Sequence, residues 1–83
     1  MLPGAEIIEK GLVDLNAGRE TIESLLVSIG APKLRQLGIS VPTTTFTSPE
    51  HRLYERLRCK DSRSAHSRYN ALIRRLVSFE RAA

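Results

Sequence analysis

The chain has one cysteine, Cys59, and so cannot close a disulfide within itself. A reducing compartment is the simplest setting for it, with an intermolecular disulfide the other use for a lone thiol. No stretch approaches the roughly 18 apolar residues needed to cross a bilayer. The opening MLPGAEIIEK lacks a basic leader ahead of a long apolar run, so no signal peptide is expected and the cytoplasm is the expected location. The glycines are scattered at Gly4, Gly11, Gly18, Gly30 and Gly38, and none clusters into a phosphate-cradling loop. CxxC and HxxxH spacings are missing, and His51 and Cys59 would stand about 12 Å apart along one helix, too far to share an ion. Cys59 and His66 flank a short joint, but nothing around them supplies an oxyanion loop, a strand-to-helix elbow or a third orienting residue. These absences argue against an enzyme, a cofactor, a metal, a small-molecule substrate or a membrane partner.

What is present suits one small helical domain. The chain has 83 residues, of which 41% are hydrophobic, enough to hold a core and to argue against disorder along most of its length. A chain this short buries only about 60% of the surface its unfolded form exposes, so its stability should be low among domains and self-association would help it.

The apolar spacing predicts an all-α bundle of four main helices, over about 5–17, 21–29, 49–60 and 64–81, plus a short helical turn near 32–37. In the first, Ile8, Leu12 and Leu15 share a face with Gly11. A glycine in that place costs roughly 1 kcal/mol against alanine and reads as room for a neighbouring helix. Gly18 is suited to a left-handed cap. Thr21 is a plausible N-cap for Ile22, Leu25, Leu26 and Ile29, and Gly30 is expected to end that helix before Pro32 opens a separate turn. Ile39, Val41 and Phe46 should pin an extended connector to the core. The β-branched run Thr43-Thr44-Thr45 resists helix and has no evident strand partner. Ser48-Pro49-Glu50 is a strong helix start. Asp61, Ser62 and Ser64 offer caps for the last helix, along which Ala65, Tyr69, Leu72, Ile73, Leu76 and Phe79 form one apolar stripe. The chain therefore divides into an N-terminal helical half (1–38), a connector (39–48) and a helical hairpin (49–83).

Charge follows the same division. Residues 1–47 hold four basic and five acidic side chains, whereas residues 48–83 hold nine basic and four acidic ones, eight of the nine being arginine. Guanidinium is suited to bidentate contact with carboxylate or phosphate. The residues expected to meet a partner are Arg52, Arg56, Arg63, His66, Arg68, Asn70, Arg74 and Arg75, on the outer surface of the hairpin. A non-enzymatic binding protein is the expectation, with a protein partner or self-association as its leading form, since arginine and tyrosine favour interfaces and Val77 widens the apolar stripe. The alternative is nucleic acid held through its phosphates, with Ser64, His66, Ser67 and Asn70 able to reach base edges. Against both stands a merely solvated face whose arginines pair with Glu50, Glu55 and Glu80.

Overall fold

The helix with most of its circumference buried is the second one. In the computed structural model, which describes residues 2–43 and 45–83, the helices are α1 (Ala5–Asn16), α2 (Ile22–Gln36), α3 (Pro49–Lys60) and α4 (Ala65–Ala82), with no strand among the described residues. Helix α2 packs against the other three, and α3 also packs against α4. Leu25, Leu26, Val27, Ala31 and Leu34 of α2 are all buried, joined by Ile8 and Leu15 of α1, Leu53 and Leu57 of α3, and Ala65, Leu76 and Phe79 of α4.

Helix α2 does not stop at Gly30. It runs on through Pro32 to Gln36, and the separate turn expected over 32–37 is its last part. Pro32 has no N–H to offer the Ser28 carbonyl, and a proline inside a helix costs about 3 kcal/mol. Against that, continuing the helix carries the line Leu26–Gly30–Leu34 into the core, where Leu34 is fully buried. Burying a leucine stabilises by about 1.5–3 kcal/mol, and Ala31 adds to it. Burial of Leu34 and Ala31 together therefore offsets the local breaker.

Two glycines mark where helices touch. A Cβ built on Gly11 would fall well inside contact distance of the Glu23 carbonyl oxygen and of Val27 Cγ2, so α1 lies directly on the backbone of α2, as its place on the apolar face implied. A Cβ on Gly30 would sit 2.8 Å from Leu76 Cδ1, which places α4 against the middle of α2.

The turn between α1 and α2 is tied by side chains. Gly18 takes φ 75° after α1. Thr21 caps α2 with a reciprocal pair: its Oγ1 accepts from the Ser24 amide at 3.1 Å, and the Ser24 Oγ accepts from the Thr21 amide at 2.8 Å. The start of α3 differs from expectation. Ser48 occupies the capping position with Pro49 behind it, but it sits at φ 47° and ψ 51° and its side chain makes no capping bond. Ser64 likewise precedes α4 without a side-chain cap, and Asp61 holds the joint instead by accepting from the Arg63 amide at 3.0 Å. In the connector Val41 is buried, while Ile39 and Phe46 pack partly exposed on the core. Thr44, in the middle of the threonine run, lies outside the described residues.

Candidate partner-binding surface

Helix α3, the α3–α4 joint and helix α4 carry the arginines of the hairpin, and the acids that meet them come mostly from the other half of the chain. Leu53 and Leu57 turn one face of α3 inward, which brings Arg52 and Arg56, one turn apart, over the α1–α2 turn. There both guanidinium groups donate to a single carboxylate, that of Glu20: Arg52 Nη1 to Oε1, and Arg56 Nε to Oε2 at 3.3 Å. On α4, Arg75 Nη2 donates to Glu6 Oε1 at 2.6 Å, which ties the last helix to the first turn of α1. Arg58 pairs with Glu55 of its own helix at 3.0 Å, and that hydrogen bond, then the carboxylate's charge, raises its pKa. The partners expected from sequence proximity, Glu50 and Glu80, form no ion pair among the described residues; of the three, Glu55 alone does. These pairs are solvent-exposed, each contributing about 0–1 kcal/mol, so they fasten the hairpin's register more than they add stability.

The remaining predicted contacts sit elsewhere. Arg63 lies in the α3–α4 joint, while Arg68 and Arg74 lie on different sides of α4; none of the three has a carboxylate within ion-pair distance among the described residues. Asn70 Nδ2 and His66 Nε2 are 3.2 Å apart one helical turn from each other, a contact these exposed groups would exchange for one to a base edge, while Asn70 Oδ1 and His66 Nδ1 lie outside it. The eight residues therefore do not form one patch. Arg52, Arg56 and Arg75 belong to intramolecular pairs, and Arg63, Arg68 and Arg74 are spread around the joint and two sides of α4.

One flank of α4 combines free charge with apolar surface. A groove of about 500 Å³ runs between α4 and the α1–α2 pair. Ile7, Ile22, Ala71 and Leu72 line it with apolar surface, and Lys60, Arg68, Arg75 and Glu23 supply its charged groups. Ile7, Ile22 and Leu72 are half-buried; the stripe expected to be core on α4 is fully buried at Ala65, Leu76 and Phe79 and packs half-buried on the core at Tyr69, Leu72 and Ile73. Sequence reasoning missed Ile7, Ile22 and Lys60 as neighbours of Arg68, because nothing local in the chain brings them together. A second depression of about 450 Å³ lies on the opposite flank, among Lys33, Val77, Glu80 and Arg81.

No family model, curated protein or solved structure matches this chain.

Cys59 is free and exposed. Among the described residues no three His, Cys, Asp or Glu side chains converge as metal ligands, and no described helix is long and apolar enough to cross a membrane. On α3 and α4 the rings of Tyr54 and Tyr69 meet edge to face at 5.8 Å, and burial, helped by the charge of Glu50, pushes the Tyr69 phenol up from its ordinary value. Among the described residues the one with the most side-chain polar partners is Asp14, which the sequence did not single out. It is almost fully buried and accepts from Lys10 Nζ at 2.8 Å, Thr21 Oγ1 at 2.8 Å and the Arg19 guanidinium at 3.1 Å. Its spacing of four from Lys10 was the available signal. The cluster fastens the α1–α2 corner, and among the described residues no buried side-chain polar atom lacks a partner.

Proposed function

We propose that the chain is a small, non-enzymatic binding domain that engages an acidic protein surface through its arginine-rich C-terminal hairpin. The observation that supports this is the division of the arginines. Three are paired with two acids of the N-terminal half, Glu20 and Glu6, and Arg68, which has no acidic partner among the described residues, borders half-buried Leu72. Apolar surface beside a guanidinium complements a protein partner bearing carboxylates and apolar side chains, whereas a nucleic-acid backbone offers nothing to cover it. A cytoplasmic location belongs to the same proposal.

Phosphate-backbone binding is the second reading, favoured by Arg63 and Arg74, which are exposed and without an acidic partner among the described residues. Titrating labelled duplex DNA and single-stranded RNA at several salt concentrations separates the two. Phosphate contacts require affinity that falls steeply with salt. The proposal expects at most weak, non-specific binding at low salt; tight binding with a steep salt slope would replace it with the nucleic-acid reading. Light scattering on the same samples identifies a homodimer, the other protein form of the reading.

A further inference from the structure

We infer that the groove beside Arg68 receives an amphipathic helix of a partner protein, with acids at positions i and i+7 and large apolar residues at i+3 and i+4. This rests on the proposed acidic-partner reading and gives it a location and a ligand. The spacing comes from α4 itself. Arg68 and Arg75 are two turns apart, about 10.5 Å along the axis, with Ala71 and Leu72 between them. A helix laid along that flank meets cation, apolar pair and cation in succession, so its complement is acid, apolar pair and acid at the same interval. Ala71 is small and lets the visitor approach closely, while Ile7 and Ile22 form the opposite wall. The groove's ~500 Å³ suits a few side chains of an inserted helix edge and lies within the size range of ligand pockets. Lys60 adds a third cation at the groove, and Arg75 keeps further N–H groups for a visiting carboxylate beside its bond to Glu6.

A second copy of this chain is the poorer occupant. A two-fold contact lays the same patch on itself, which would bring Lys60, Arg68 and Arg75 against their own counterparts with Glu23 and the Arg75-paired Glu6 to offset them, leaving each face net positive. Like charges facing each other oppose such a pairing.

The test uses the full chain and a labelled helical peptide with Glu at i and i+7 and Leu at i+3 and i+4 on an alanine and glutamine background. Anisotropy should report binding that Arg68→Glu weakens about tenfold, and that Arg74→Glu, on another side of α4, leaves unchanged. One of the two peptides with a single Glu replaced by Lys should regain affinity for Arg68→Glu, which a merely unfolded variant could not produce. Replacing both peptide leucines by alanine should abolish binding. If Arg74→Glu weakens the peptide and Arg68→Glu does not, the groove is the wrong site while the acidic-partner reading stands. No binding at about 1 mM peptide overturns the groove assignment; steep salt-dependent binding of duplex DNA by the same sample would bring down the reading beneath it as well.

Discussion

Thr21 Oγ1 donates a 2.8 Å hydrogen bond to Asp14 Oδ2 while accepting from the Ser24 amide, so one hydroxyl joins the last turn of α1 to the cap of α2. The hydrogen bond from Lys10, then that from Thr21, hold the Asp14 carboxyl down at about 2, below its ordinary value of 3.8, against the opposing effect of burial. The folded pKa is lower than the unfolded one, so the stabilisation is complete above pH 4 or so and is lost as pH falls through about 2. Urea midpoints of the natural chain should therefore drop across that interval. Asp14→Asn should start lower at neutral pH and show a smaller drop, the two curves converging in acid. Parallel curves would mean that Asp14 does not carry the acid sensitivity.

Gly11→Ala and Gly30→Ala should differ although both replace a buried helical glycine. At Gly11 the new methyl meets a backbone oxygen of Glu23, so α1 and α2 must separate, at a cost of about 1–3 kcal/mol or more. At Gly30 it meets the end of the Leu76 side chain, which can rotate, and alanine recovers about 1 kcal/mol of helix preference. Chemical denaturation should rank Gly11→Ala clearly below Gly30→Ala.

Leu76 and Leu72 share a stripe but not a role. Leu76→Ala should cost about 2–5 kcal/mol, and Leu76→Arg should unfold the chain, since the side chain is only 4% exposed. Leu72→Ala should cost less, because half-buried Leu72 has less packing to lose. Circular dichroism melts of the three variants check the order.

These results bear on what a reader of the sequence can see. Helices α1, α3 and α4 were legible because their apolar spacing is local, and Gly11 announced its contact by sitting on the apolar face. Helix α2 was cut short because Gly30-Ala31-Pro32 is a breaker by every local rule, whereas the gain that offsets it is the burial of Leu34 and Ala31 among residues far along the chain. The candidate surface shows the same division. Residue types identified the cations, but their acids could not be found by proximity: Glu20 is 36 positions from Arg56, and Glu6 is 69 from Arg75. Only the folded chain distinguishes a guanidinium that holds the hairpin in place from one left open.

Glu20→Gln is a further probe of that distinction. It removes one acid that faces two arginines, so stability should fall by no more than about 1 kcal/mol. Non-specific affinity for duplex DNA at low salt should rise, because Arg52 and Arg56 become available to phosphates. An unchanged affinity would show that the Glu20 pairs do not restrain those arginines.

The most direct measurement is arginine-selective dicarbonyl footprinting of the folded full chain, read residue by residue by mass spectrometry. Arg63, Arg68 and Arg74, which have no acidic partner among the described residues, should be modified first, with Arg52, Arg56 and Arg75 delayed by Glu20 and Glu6. Modification of Arg52 and Arg56 as fast as that of Arg63 and Arg68 would contradict the division of the arginines on which the binding proposal stands.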